Sequence, residues 1–174
     1  CFGINLAKLD IRQESSRHSQ LLAEYVKKKS NSKYLNWDEN KKIKYLINEM
    51  KKNRKSFKNF NFKNKENNEA WSTFKLLADE PSECLGAYVI SMTSTASDVL
   101  AVYLMQMQAN IKNKLRVVPL FETLQDLKNA KSIMEKLFSL SWYRKLIKNK
   151  QEIMIGYSDS SKDAGKLSAS WHQY

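Results

Sequence analysis

Short apolar runs alternate with helical patterns over the second half of the 174-residue chain. Three runs are rich in β-branched residues, and each is followed by polar residues and then by apolar positions at helical spacing. The runs are Leu85–Met92, Arg116–Glu122 and Glu152–Asp159, and the helical patterns after them are Val99–Gln108, Leu124–Ser139 and Ala164–Trp171. Near-continuous apolar strands that alternate with helices are typical of a parallel sheet with both faces covered.

The first half of the chain predicts one more strand-helix unit and then two helices. Ile4, Leu6 and Leu9 have strand-like spacing, and an amphipathic helical pattern follows them through Val26. Further helical patterns are Trp37–Met50 and Trp71 to about Glu80, where Pro81 ends the second one. The predicted fold class is therefore α/β, a partial β/α (TIM-like) barrel of about four βα units in which helix predominates. Four units are too few to close an eight-stranded barrel.

The chain is expected to be a single internal segment, residues 1–174, of a longer β/α protein. It begins with Cys1 rather than Met, and Gln173 and Tyr174 end it directly after a helical pattern. Within it, residues 51–70 are predicted to form a polar surface loop, because Lys and Asn dominate there. Half a barrel exposes apolar surface, so we expect the isolated segment to be unstable.

The formal net charge of +12 invites a nucleic-acid interpretation, but the kind of base argues against it. Only five of the 30 basic residues are Arg, the residue that base recognition and bidentate phosphate contacts favour. Lys and Asn share A-rich codons, so an AT-biased genome explains the same composition. Phe57, Phe60 and Phe62 lie among lysines, where they either stack on single-stranded nucleic acid or pin the loop to the body. We favour the second explanation and expect no nucleic-acid partner.

Cysteine use and hydropathy point to a soluble protein in a reducing compartment. Cys1 and Cys84 have no metal-ligand spacing and do not form a disulfide framework. No window contains the roughly 18 consecutive apolar residues of a membrane span. We therefore expect a cytoplasmic location and no membrane partner.

Acidic residues follow the predicted strands, at the edge where parallel α/β folds build their active sites. The strand ends carry Asp10 with Arg12, the segment Ser91–Asp98, Glu122, and Asp159 with Lys162. Glu122 and Asp159 stand on successive strands and are candidates to share one hard divalent cation, which prefers carboxylate oxygens.

Each candidate also has a purely structural explanation. Asp159 could cap the next helix, Glu122 could bridge two loops, and Lys162 could be an exposed surface lysine. His18 and His172 both fall on helical patterns, and we interpret both as structural.

Four long blocks of the sequence closely resemble successive blocks of phosphoenolpyruvate carboxylases of the enterobacterial type. They are LDIRQESSRH (Leu9–His18), AYVISMTSTASDVLAVYLMQ (Ala87–Gln106), VVPLFETLQDLKNA (Val117–Ala130) and MIGYSDSSKDAGKLSASW (Met154–Trp171). The resemblance implies a large, mostly helical enzyme around an eight-stranded β/α barrel. It also implies a cytosolic homotetramer that uses Mg²⁺ or Mn²⁺ to carboxylate phosphoenolpyruvate with bicarbonate, giving oxaloacetate and phosphate.

The resemblance also implies roles for three residues of this chain. The metal-binding Glu and Asp of the family fall on Glu122 and Asp159, and an active-site lysine falls on Lys162. Arg12 and Asp98 are expected to support the site without a chemical role of their own. Ser161 departs from the family, which usually has Gly or Ala there. The alternative is a non-catalytic remnant of a degraded carboxylase gene.

Overall fold

The computed structural model describes residues 7–52, 56–57 and 59–173, and for residues 158 and 159 it describes the backbone alone. Four parallel strands form one sheet in the order β1-β2-β3-β4. The strands are β1 (Leu9–Glu14), β2 (Leu85–Ser91), β3 (Arg116–Phe121) and β4 (Met154–Ile155). This confirms the α/β alternation and the parallel sheet. The sheet has β1 and β4 at its edges, so closure into a barrel stays a prediction.

Eight α-helices and two short 3-10 helices connect and flank the strands in the part of the chain that the structure describes. The α-helices are α1 (Ser15–Ser30), α2 (Glu39–Lys51), α3 (Lys65–Asp79), α4 (Ala96–Gln108), α5 (Leu124–Ser139), α6 (Ser141–Leu146), α7 (Tyr157–Ala164) and α8 (Lys166–Gln173). The 3-10 helices are Tyr34–Asn36 and Ser82–Cys84. Within the same residues, no helix has the length and apolar character needed to cross a bilayer.

Both faces of the two central strands, β2 and β3, are buried, as the continuous apolar runs predict. Tyr88 and Ile90 of β2 belong to the main core, which the helices fill. Val89 and Val118 point to the opposite face, where they form a smaller buried cluster with Ala87 and Leu120. Since successive strand residues alternate between faces, β2 and β3 contribute to both cores.

A histidine and a tyrosine form a buried polar pair in the main core. The Nε2 atom of His18 in α1 lies 2.8 Å from the hydroxyl of Tyr88 in β2, and the ring of Phe74 stacks on that of Tyr88. Burial lowers the pKa of His18 to about 3 and raises that of Tyr88 above its ordinary value. His18 is therefore a neutral core residue, which fits its structural interpretation.

The first strand lies later in the chain than predicted. β1 begins at Leu9, whereas the predicted strand spans Ile4 to Leu9, of which Ile4 and Leu6 lie outside the described residues. β1 is largely polar and exposed, and its position is set by pairing with β2, from Leu9 opposite Leu85 to Glu14 opposite Ser91. Hydrophobic spacing alone does not reveal such a strand.

The polar segment 51–70 is shorter as a loop than predicted. Lys51 still belongs to α2, and α3 begins at Lys65 because the side chain of Asn64 accepts hydrogen bonds from the backbone N–H groups of Glu66 and Asn67. Residues 53–55 and 58 lie outside the described part. Phe57 and Phe62 are buried against Trp71, so these rings anchor the segment and are not exposed for stacking on bases.

A side chain extends the short pairing between β3 and β4. The carboxamide of Gln151 donates a hydrogen bond to the backbone carbonyl of Val117 at 2.9 Å, and it accepts one from the hydroxyl of Tyr143. β4 itself pairs with β3 at two positions, Leu120 with Met154 and Phe121 with Ile155. Gln151 thus fixes the chain just before β4 begins.

Candidate active site

Glu122 stands at the carboxyl end of β3, as the sequence predicts, and its backbone is held by the cap of the next helix. The side chain of Asp126 accepts hydrogen bonds from the backbone N–H groups of Glu122 and Thr123 at 3.2 and 3.0 Å. Thr123 in turn accepts one from the N–H of Asp126 at 3.1 Å, which completes a capping box. The half-buried Glu122 therefore projects from a fixed turn between a buried strand and a helix.

Gly156 brings the end of β4 against Glu122. The N–H of Gly156 donates to the carbonyl of Phe121 at 3.0 Å, directly beyond the last strand pair. A Cβ atom at Gly156 would lie 2.9 Å from Cγ of Glu122, closer than real contacts allow. The missing side chain of Gly156 leaves the space that the Glu122 side chain occupies.

The segment with the other two candidates is a helix, not the end of a strand. The sequence predicts a strand from Glu152 to Asp159, but α7 begins at Tyr157. The strand ends early because the carbonyl of Gly156 accepts hydrogen bonds from the N–H and the hydroxyl of Ser160, at 2.9 and 2.8 Å, which closes a helical turn.

Asp159 and Lys162 both belong to α7. They are three positions apart, and residues at this spacing lie on the same side of a helix. The side chain of Asp159 lies outside the described residues, and Lys162 is exposed. The next helix was predicted from Ala164, but α7 runs to that residue, and Gly165, with φ of 78°, separates it from α8. Asp159 and Lys162 thus lie on the helix that begins next to Gly156, the residue that contacts Glu122.

Asp10 and Arg12 lie inside β1, not beyond its end, so their predicted place at the active-site edge is wrong. Asp10 is near the amino-terminal end of β1, where its carboxylate accepts a hydrogen bond from the N–H of Ala87 at 2.8 Å. Gly86 leaves room for this carboxylate, since a Cβ there would collide with it. Asp10 therefore ties β1 to β2. Arg12 is exposed and pairs with Val89 in the sheet.

Asp98 orders the loop after β2, as expected for a supporting residue. Its carboxylate accepts hydrogen bonds from the N–H groups of Ser94 and Thr95 at 3.0 and 2.9 Å, at the start of α4. Sequence reasoning missed the partner of this turn, Glu39, whose carboxylate accepts from the N–H and hydroxyl of Ser97, each at 2.8 Å. Burial raises the pKa of Glu39, although the bonds from Ser97 oppose the shift. No local pattern connects residues 58 positions apart.

His172 lies on α8, as predicted, and its Nδ1 donates to the carbonyl of Ser168 one turn earlier, at 2.9 Å.

Among the side chains that the structure describes, no three His, Cys, Asp or Glu groups come together as a metal cluster. The donors available at the strand ends are carboxylates, which suit a hard divalent cation such as Mg²⁺ or Mn²⁺. The space at Gly156 leaves the Glu122 side chain room at this edge, so the residues fit such an ion.

A sequence model of the family described as phosphoenolpyruvate carboxylase matches residues 1–174, the whole chain. The chain belongs to the phosphoenolpyruvate carboxylase family. It is 49% identical over 173 residues to a phosphoenolpyruvate carboxylase of Flaveria pringlei, of which it covers 18%, with 99% of this chain aligned. It is also 49% identical to the enzyme of Aliivibrio salmonicida, with 99% of this chain and 20% of that protein covered. Plant and bacterial phosphoenolpyruvate carboxylases thus match it equally well.

Family membership confirms the resemblance seen in the four sequence blocks. β3 except for Arg116, and all of β4 and α7, fall within two of them. The chain spans about a fifth of the length of the phosphoenolpyruvate carboxylases that it matches. The roles of Glu122, Asp159 and Lys162 stay predictions, as does the activity of the longer protein.

Proposed function

We propose that this chain is the metal-binding and lysine-bearing segment of an active phosphoenolpyruvate carboxylase. The complete enzyme would carboxylate phosphoenolpyruvate with bicarbonate, giving oxaloacetate and phosphate. One observation carries the assignment of the site: β3 and β4 end side by side, so that Gly156, at the start of the Lys162-bearing helix, contacts Glu122. The cytoplasmic location and the homotetramer are part of this proposal, and the isolated segment is expected to be inactive.

Glu122 and Asp159 would hold Mg²⁺ or Mn²⁺ through carboxylate oxygens. When bound, the ion supplies Lewis-acid stabilisation of the negative charge that develops on the enolate oxygen of the substrate. The capping box of α5 would keep Glu122 in one orientation, since its backbone is fixed through Asp126.

Lys162 would hold the anionic oxygens of bicarbonate and of the phosphoryl group in line for transfer. A bicarbonate oxygen then bonds to phosphorus as the bond from phosphorus to the enol oxygen breaks, leaving carboxyphosphate and the enolate of pyruvate. Carboxyphosphate breaks its C–O bond to give carbon dioxide and phosphate. The methylene carbon of the enolate bonds to carbon dioxide, which yields oxaloacetate.

Substitution of the two carboxylates in the complete enzyme tests this proposal. We expect Glu122→Gln or Asp159→Asn to raise the metal concentration for half-maximal activity by at least about tenfold. Loss of a group that only orients a metal ligand weakens metal binding about 10- to 100-fold, and loss of a ligand itself should weaken it at least as much. Lys162→Ala should lower kcat or raise KM for bicarbonate. The measurement is oxaloacetate formation during titrations of Mg²⁺ and bicarbonate.

Glu135→Gln is the control, since Glu135 is exposed on α5, away from the strand end. Wild-type metal dependence in both carboxylate variants would contradict the metal assignment. A complete wild-type protein that forms no oxaloacetate would favour the non-catalytic remnant instead.

A further inference from the structure

A hydrogen bond joins the two segments of the candidate site beyond the strand ends. The carboxylate Oδ2 atom of Asp163 in α7 accepts a hydrogen bond from the backbone N–H of Leu124 at 2.9 Å. Leu124 is the first residue of α5 and lies two positions after Glu122. Asp163 directly follows Lys162. The bond therefore links the residue after Lys162 to the second residue after Glu122, although Lys162 and Glu122 are 40 positions apart in sequence.

The local cap of α5 does not account for this bond. Asp126 already accepts from Glu122 and Thr123, while the N–H of Leu124 is one of the first-turn donors that a helix leaves without an internal partner. Asp163 reaches that donor from a different helix. A carboxylate at a helix N-terminus makes a charge-assisted bond and also interacts favourably with the helix dipole.

The position of Asp163 in its own helix supports the same conclusion. It is the penultimate residue of α7, where the negative end of the helix dipole disfavours an acidic side chain. Aspartate is also a weak helix former. The interaction with α5 gives a physical reason for an acid at a place that α7 alone disfavours.

We propose that Asp163 is a positioning residue that sets the separation between Lys162 and Glu122 by clamping α7 to the first turn of α5. This inference rests on the proposed function. Each end of α7 has a tie to the other segment: the N–H of Gly156 bonds the carbonyl of Phe121 before the helix, and Asp163 bonds Leu124 near its end. Loss of the second tie leaves α7 anchored at its start, so that Lys162, close to its other end, moves relative to Glu122.

Three variants of the complete enzyme test the clamp. Asp163→Ala removes the acceptor, Asp163→Asn keeps a neutral oxygen at the same reach, and Asp79→Ala removes an exposed aspartate from the end of another helix, α3. We expect Asp163→Ala to raise KM for bicarbonate and the Mg²⁺ concentration for half-maximal activity about tenfold. This is the smaller of the losses in affinity or activity that follow when a group that orients metal ligands is removed. With both saturating, kcat should change less than about twofold. Asp163→Asn should recover most of the loss, and Asp79→Ala should match the wild type.

Hydrogen exchange at the amide of Leu124 supplies a readout that does not depend on activity. Asp163→Ala should increase its exchange rate, whereas Asp79→Ala should not. Unchanged exchange, or unchanged KM and metal dependence in Asp163→Ala while Glu122→Gln raises the metal requirement, overturns the clamp and leaves the proposed function standing. If Glu122→Gln also has no effect on metal dependence, the proposed metal site fails instead.

Discussion

The first three strands and the segment that follows β3 hold their side chains in different ways. β2 is covered on both faces and pairs with β1 and β3 over five and four positions. β4 pairs over two positions and is followed by two eight-residue helices, of which α8 leaves Leu167 and Trp171 87% and 77% exposed. The first region is a packed platform that ends in Glu122. The second pairs with it over few residues and packs α8 against α5, where Ala169 is buried, so single atoms of β4 and α7 should matter for the site.

Acid should weaken the platform through His18. Burial lowers its pKa from the ordinary 6.5 to about 3, so below about pH 6.5 the unfolded chain binds a proton that the folded chain excludes. Stability should therefore fall as the pH falls, by roughly 1 kcal/mol for each pH unit between about pH 6 and pH 4. The measurement is the temperature of half-inactivation of the complete enzyme across this pH range.

His18→Gln should flatten this dependence, because glutamine does not titrate and can still bond the Tyr88 hydroxyl. His172→Gln, on the more exposed α8, controls for the loss of a histidine. Equal slopes in the wild type and His18→Gln would show that the acid sensitivity comes from other groups.

Gly156→Ala should have the next largest effect, at the junction of the two regions. The new methyl group would lie 2.9 Å from Cγ and 3.3 Å from Cα of Glu122. Because φ of Gly156 is −81°, alanine can adopt this backbone. Any loss of stability in the variant therefore reflects the contact with Glu122 and not backbone strain. We expect about 1–3 kcal/mol of destabilisation from overpacking, together with a raised metal requirement.

The double variant Gly156→Ala with Glu122→Ala isolates this contact. It should be destabilised by less than the sum of the two single variants, since the colliding Cγ is gone. Additive thermal shifts would show that Gly156 does not act through Glu122.

The smallest effects are expected from two adjacent serines of α7. Ser160 is buried, donates to the carbonyl of Gly156 and accepts from the side chain of Gln173 at 2.8 Å. Ser161 has a buried hydroxyl that, among the described residues, makes no hydrogen bond. Ser160→Ala should cost about 1 kcal/mol, whereas Ser161→Ala should be neutral or slightly stabilising. Thermal inactivation compares the two, and a larger loss in Ser161→Ala would contradict the ranking.

The sequence was informative where a residue's environment is set by its neighbours along the chain. β2 and β3 could be located because their runs are apolar on both faces, and Glu122 because it directly follows β3. The start of α7 could not, because Tyr157 and Ser158 continue a strand-like pattern. What ends the strand is the helical turn closed by the hydrogen bonds from the N–H and the hydroxyl of Ser160 to the carbonyl of Gly156. The link from Glu39 to Ser97 was invisible because it joins residues 58 positions apart.

The Gln151 side chain bears on the register in which β3 and β4 pair, and so on the position of Gly156 beside Glu122. A pairing of only two residues is prone to slippage, and a slip of one position would exchange the faces of Met154 and Ile155. It would also carry Gly156 past Glu122 and place a side chain where the glycine must be. The carboxamide of Gln151 bonds the carbonyl of Val117 and thereby stabilises the native register of β3 and β4 against a register shift.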